Sequence, residues 1–273
     1  VTLRPDGFGG ITAKQACTVL YDRLPPLRSE ILRSMLQANV GPCVVEWAEA
    51  NNQDVPMVGG MARFGQHTII MIALNAPVRR ELLERTVAVS PMPDELRREM
   101  LAHGAAIRLL YTGDAEAGLE QLTALYRVAG ALLAQGGIGL LNERAALAMP
   151  AELATQYLAD LDGLSPPIPL WVGAVTFHTE DAGASRPYLM RTYGMEQLGL
   201  PELCIYMQDR TLADNAYHTL MNICLYIAEG GPALRMGVGD RADFNGRTYL
   251  FTEPDGDREE LAGPTGMLLL VEV

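Results

Sequence analysis

The sequence predicts an α+β fold, with mixed, mostly antiparallel sheets and helices packed on one face. Three observations predict it. Short apolar runs rich in β-branched residues read as strands. Longer runs carry the 3.6-residue period of amphipathic helices. The two kinds come in groups and do not alternate regularly as β-α-β units. An early group reads strand, helix, strand, strand, strand. A late group reads three strands, a helix and further strands. Two related ferredoxin-like halves are left open by this order, although no internal repeat supports them.

The chain has 273 residues, enough to bury a sizeable core. Residues 1–12, rich in Gly and Pro, read as a flexible N-terminal arm. Residues 13–273 read as a single α+β domain, with two halves meeting near residues 105–165 as the alternative. "ACTVLYDRL" is a buried strand. "LRSEILRSMLQA" is a helix, with Leu27, Ile31, Met35 and Leu36 on one face. "PCVVEWAEA", "PMVGGMARF" and "HTIIMIALN" follow as strands, the last two joined by a "GQ" turn. "PVRRELLERTVAV" and "MPDELRREMLAHG" are helical, and His103 at the end of the second suits a helix C-terminus as a cation.

"AAIRLLYTG" is a strand. The long helix in "EAGLEQLTALYRVAGALLAQG" carries a stripe of Leu119, Leu122, Tyr126, Ala129 and Leu133, and Gly136-Gly137 ends it. "AELATQYLADLDG" is a shorter helix. The Pro-rich "LSPPIPL" reads as the entry to an edge strand. "WVGAVTFHTE", "RPYLMRTYG" and "ELCIYMQD" are consecutive antiparallel strands. The helix "LADNAYHTLMNICLYIAEGG" turns Leu220, Cys224 and Ile227 inward. "ALRMGVGD", "RTYLFTEP" and "GMLLLVEV" are further strands. The last reads as an exposed edge guarded by Glu272.

Composition excludes several functions. Hydrophobic residues make up 49% and charged residues 20%, a balance that argues against disorder. The formal net charge is −12, and no Arg/Lys cluster offers a phosphate-binding patch. Nucleic acid is therefore not an expected partner. Cys17, Cys43, Cys204 and Cys224 lie in apolar runs without a C-x-x-C pair, so they read as small buried hydrophobes in a reducing compartment. "VTLRPDGFGG" does not resemble a signal peptide, and no apolar run has membrane-spanning length. The expectation is a soluble, cytoplasmic protein with no membrane partner.

Catalytic motifs are scarce. "GFGG" and "GVGD" lack the pattern of a dinucleotide or phosphate loop. No Ser sits in G-x-S-x-G, and Ser185 reads as a loop serine. "FHTED" places His178 and Glu180 on one strand face, two ligands of the three that a metal site needs, so no metal is expected. "DRADFNG" and "EPDGDREE" read as solvated hairpin tips. No catalytic residue and no cofactor is identified.

One stretch stands out: "MRTYGMEQLGLPEL", from Met190 to Leu203. Gly194 and Gly199 supply permissive backbone at each end of a short connection, and Pro201 presets the next strand. Arg191 and Glu202 fall on adjacent strands, where they can pair. A corner between two strands is the favoured reading. The alternative is a pocket faced by Arg191, Tyr193 and Glu202.

This stretch, the strand "CIYM", the helix "AYHTLMNICLYIAEGGPAL" and the Gly-rich turn after it resemble the C-terminal part of the bacterial domain-of-unknown-function 4261 (DUF4261) family. "AHGAAIRLLYTG", the long helix after it and "GIGLLNERAALAMPAEL" extend the resemblance to roughly residues 55–273. The resemblance implies a bacterial cytosolic α+β protein and carries no activity, because that family has none assigned. Arg191, Tyr193 and Glu202 are the positions where a shared surface is expected.

Two functions are thus expected in order. The first is a non-catalytic protein-interaction role, immunity-type or secretion-accessory, with another protein as partner and the oligomeric state open. The alternative is an enzyme or small-ligand binder with a pocket near the strands of residues 171–208, using His178, Glu180, Arg191 or Tyr193.

Overall fold

The computed structural model describes residues 13–48, 57–161, 163, 165–178, 187–230, 236–244, 246–254 and 263–273, and among these residues the chain forms thirteen strands and six α-helices. The strands form two sheets, of seven and six strands, and the fold is α+β. The chain divides into two compact units. Residues 1–78 and 102–140 make the first, and residues 79–101 and 141–273 make the second.

The first unit begins with β1 (Gln15–Tyr21), α1 (Ser29–Val40), β2 (Val44–Trp47), β3 (Met57–Phe64) and β4 (His67–Leu74). It continues with β5 (Ala105–Tyr111) and α4 (Gly118–Leu133). Its strands run in the order β2-β3-β4-β5-β1, and every pair is antiparallel. The "GQ" turn joins β3 to β4, and Phe64 pairs His67 across it.

Helix α4 is buried nearly all round, with Gln121, Ala124, Leu125, Val128 and Leu132 inside as well as the expected Leu122, Tyr126, Ala129 and Leu133. The reason is that β1, β5 and α1 all pack on it. The Tyr21 hydroxyl, fully buried, donates to the Leu132 carbonyl at 2.7 Å. In α1 the buried residues are Leu32 and Leu36. Ile31, expected inside, is 39% exposed, because the buried face is centred one residue further along the chain.

The second unit holds α2 (Arg80–Val89) and α3 (Asp94–Leu101). Next come β6 (Gly139–Asn142) and β7 (Leu147–Pro150), neither of which the sequence suggested, then α5 (Ala151–Ala159) and β8 (Gly173–His178). The remainder is β9 (Tyr188–Tyr193), β10 (Glu202–Met207), α6 (Ala213–Gly230), β11 (Arg241–Phe244), β12 (Arg247–Thr252) and β13 (Met267–Glu272). The Ser90 hydroxyl closes the C-terminus of α2 by donating to Thr86 O at 2.7 Å, and it accepts the Ala148 N–H of β7 at 2.7 Å.

The six-stranded sheet runs β11-β12-β13-β10-β9-β8. Its pairs are antiparallel except β10 with β13, which is parallel. Helix α6 packs on β9 and β10 and turns Leu220, Cys224 and Ile227 inward as expected. Leu189, Cys204, Met267 and Leu269 form a buried cluster on this sheet, flanked by Tyr206 and Val271.

Three sequence expectations change. Of the strand expected in "ALRMGVGD", residues 233–235 lie outside the described residues and 236–240 form no strand, while the "DRADFNG" segment, expected as a hairpin tip, contains strand β11. The expected edge β13 is an interior strand, because β12 and β10 flank it. His103 is not a helix-end cation: it is buried, and its Nε2 accepts the Val78 N–H at 2.8 Å, which requires a neutral ring nitrogen. The strand order differs between the two sheets, and the second contains a parallel pair, β10 with β13.

Candidate functional site

The "MRTYGMEQLGLPEL" corner builds a buried polar cluster. Strand β9 ends at Tyr193, and Gly194 follows with φ 110°. A short 3-10 turn, Met195–Leu198, leads to Gly199 with φ 74°. Both glycines occupy the left-handed region that side chains disfavour. At Gly194 the demand is doubled, because an added Cβ would collide with the Trp171 carbonyl oxygen.

Glu202, only 2% exposed, organises this corner. Its Oε2 accepts the Thr192 hydroxyl at 2.6 Å, and its Oε1 accepts the Gly194 N–H at 2.9 Å and the Glu196 N–H at 3.4 Å. The Thr192 oxygen in turn accepts the Leu203 N–H at 2.8 Å. The carboxylate thus satisfies the backbone donors at the start of the 3-10 turn, as a capping side chain does. Burial raises its pKa. The donors from Thr192, Gly194 and Glu196 and the Arg191 charge act against the rise without cancelling it.

Arg191 does not pair with Glu202 as the sequence suggested. Its register partner on β10 is Cys204, and on β8 it is Val175. The guanidinium carbon lies 4.1 Å from the centre of the Tyr193 ring, a cation–π contact between residues on one strand face. Arg191 is 7% exposed, and its Nε meets no acceptor among the described residues. Gly263 lies against Nη2, and the same spot is close to Glu196 Oε2. The other Glu196 oxygen is held by Arg144 at 2.9 Å.

Of the five residues expected at a site, the fold thus brings Arg191, Tyr193 and Glu202 together. His178 stands apart. It pairs Tyr188 at the far end of β9 and packs edge-on against that ring at 5.2 Å. It is three steps along β8 from Val175, the β8 partner of Arg191, or roughly 10 Å. Glu180 lies outside the described residues, as do Asp181 and Ser185. Among the described residues no group of three or more His, Cys, Asp or Glu side chains is placed to hold a metal ion. Cys17, Cys204 and Cys224 are buried and Cys43 is half-buried. Burial pushes the Cys17 thiol up to about 12, far from the thiolate that nucleophilic chemistry needs.

A second cluster, in the first unit, escaped the sequence reading. His67 Nδ1 lies 2.9 Å from the hydroxyl of Tyr111, which is fully buried. With that hydroxyl donating to Nδ1, the ring proton sits on Nε2, 3.8 Å from Glu120 Oε1. Gln66 donates to the same Glu120 oxygen. Burial lowers the His67 pKa, and Arg127 adds to this against the pull of Glu120. Gly113 makes the packing possible, because a Cβ there would come within 2.8 Å of the Tyr111 hydroxyl. The order carboxylate, imidazole, phenol is that of a proton relay, but its phenol end is sealed from solvent. His67 and Tyr111 are 44 residues apart in sequence, and no local motif links them.

No family model matches the chain, and neither a curated protein nor a solved structure matches it. No described helix is long and apolar enough to cross a membrane.

Proposed function

We propose that the protein is a non-catalytic interaction protein that binds another protein in the cytoplasm, in an immunity-type or secretion-accessory role. The observation that carries this reading is the β11 edge of the six-stranded sheet. Among the described residues β11 pairs only with β12. Beside it, Tyr226 of α6 is 47% exposed and packs edge-on against Phe244 at 5.4 Å. A free strand edge next to a solvent-facing aromatic is what strand-addition partners use: main-chain hydrogen bonds hold them and the ring anchors them. The engagement of Glu202 with its own corner supports the same reading, because three internal donors take up most of the roughly four acceptor positions of the carboxylate. The net charge of −12 disfavours nucleic acid as that partner. Membership of the DUF4261 family, proposed on the motif order given above, adds no activity.

The test is capture with purified wild-type and Tyr226→Arg proteins of equal thermal stability. A specific protein retained by the wild type and lost with the variant supports the reading. Equal retention, or none at high bait concentration, defeats it.

A second reading, an enzyme or small-ligand binder near residues 171–208, is favoured by Arg191 alone. A buried guanidinium whose Nε has no acceptor among the described residues suits a planar anionic group, such as a carboxylate. Retention of a carboxylate-bearing metabolite by the wild type and not by Arg191→Met supports this reading.

A further inference from the structure

We propose that the β11 edge is self-complementary and that the partner it fits is a second copy of this chain, docked antiparallel about Ala242. The proposal rests on the protein-interaction reading above and names its partner.

The backbone parity of β11 comes first. Along an antiparallel strand, N–H and C=O groups point alternately to one neighbour and the other. The Phe251 N–H donates to Asp240 O at 2.9 Å, and Ala242 and Phe244 are in register with Tyr249 and Arg247. Asp240, Ala242 and Phe244 therefore turn their polar groups toward β12. The far side of β12 agrees. The Val273 N–H donates to Thr248 O at 3.0 Å, so Thr248 and Leu250 face β13, while Arg247, Tyr249 and Phe251 face β11. Arg241 and Asp243 are left with their backbone N–H and C=O directed away from the sheet.

Side chains narrow the occupant. Arg241 and Asp243 are exposed and share one strand face, while Ala242 and Phe244 are half-buried on the other. A second copy can dock about a twofold axis at Arg241, at Ala242 or at Asp243 and still match outward groups with outward groups. An axis at Arg241 sets two guanidinium groups face to face, and an axis at Asp243 sets two carboxylates face to face. Like charges directly opposite are unfavourable.

An axis at Ala242 places Arg241 of each copy opposite Asp243 of the other. Both of those pairs then exchange main-chain hydrogen bonds, and both are ion pairs. Ala242 meets its own copy at the narrow, non-hydrogen-bonded position, where a small side chain fits. Asp243 is already oriented, since its Oδ1 accepts the Thr248 hydroxyl at 2.5 Å, which leaves Oδ2 for the incoming guanidinium. Arg241 makes no ion pair among the described residues. Charges of one sign along an edge would repel a second copy set directly opposite. This edge is balanced and self-complementary in a chain that is otherwise acidic. The product is a continuous sheet of twice six strands across the twofold axis.

Sedimentation equilibrium over a range of protein concentrations tests the proposal on four proteins: wild type, Arg241→Asp, Asp243→Arg and the double exchange. Each is first checked for an unchanged thermal transition. The wild-type mass is expected to rise from 29.6 kDa toward twice that value. Each single exchange should weaken association by about tenfold or more, by setting like charges opposite. The double exchange should restore it. A wild type that stays monomeric, or a dimer indifferent to both single exchanges, overturns the proposal. If a monomeric wild type still binds a different protein and Arg241→Asp abolishes that binding, only the second copy is refuted. If no complex depends on the edge, the interaction reading falls with it.

Discussion

Thr192 and Glu202 are joined by a 2.6 Å hydrogen bond that solvent does not reach, the two residues being 0% and 2% exposed. The hydroxyl is shared, because it also accepts the Leu203 N–H. Replacing Thr192 by Val keeps the shape and leaves a buried carboxylate oxygen and a buried N–H each without this partner. The expected loss is about 2–3 kcal/mol, read from urea unfolding of wild type and variant. A loss below about 0.5 kcal/mol would mean that the corner does not depend on this bond.

The same carboxylate gives a pH dependence with a definite sign. The folded-state pKa of Glu202 is raised above its ordinary value of 4.5. Between the two values the folded chain keeps a proton that the unfolded chain has released, so stability falls as pH rises. Its contribution is full below pH 4.5 and lost as pH climbs through the folded value. Subtracting the pH profile of Glu202→Gln from that of the wild type should expose this decline. A flat or rising difference would contradict the raised pKa.

His67 predicts the opposite slope. Its folded pKa is lowered below 6.5, so its contribution is present above pH 6.5 and lost as pH falls through the folded value. NMR titration of the ring should give a midpoint below 6.5 and, at neutral pH, the tautomer protonated on Nε2. Protonation must also reverse the Tyr111 hydroxyl, because Nδ1 then donates where it had accepted. In Tyr111→Phe that conflict is gone, and the midpoint should move upward.

The two corner glycines separate backbone strain from collision. At Gly199 nothing stands within 4 Å of an added Cβ, so Gly199→Ala should cost about 1–2 kcal/mol, the left-handed penalty alone. At Gly194 the Trp171 carbonyl is in the way, and Gly194→Ala should cost several kcal/mol or prevent folding. Equal melting temperatures for the two variants would refute this account.

Arg191→Met retains an apolar stem of similar length and removes the charge without breaking any hydrogen bond described above. Stability within about 1 kcal/mol of wild type is expected, since buried charges are commonly replaceable by apolar groups. The Glu202 titration should move further upward, because Arg191 pulls that pKa down. If the pKa stays where it was, the two charges are not coupled.

Local pattern made most elements legible. Periodicity placed α4 and α6, and the tight "GQ" turn placed the β3–β4 hairpin. Strand β11 was hidden because Arg241-Ala242-Asp243-Phe244 alternates charge with small or aromatic residues, the look of a solvated turn. Strand β13 looked like an edge because its flanking strands are fixed by long-range pairing that no local signal encodes. At the site, Gly194 and Gly199 declared the corner, and Arg191, Tyr193 and Glu202 do assemble there. What Glu202 does was not readable, since its partners lie 6 to 10 residues away in sequence. The His67–Tyr111–Glu120 cluster joins three elements with no spacing rule between them.

The interior position of β13 bears on how the sheet is made. Of its six strands, β13 is the last in chain order, yet it joins β8, β9 and β10 on one side to β11 and β12 on the other. As the chain leaves the ribosome, the two groups have no common strand until Met267–Glu272 emerges, and three-stranded and two-stranded fragments wait with open edges. Closure of the sheet is therefore a late step that depends on contacts distant in sequence, the kind that slows folding and exposes strand edges to aggregation. Chains stalled or truncated before β13 are the species that chaperones must hold.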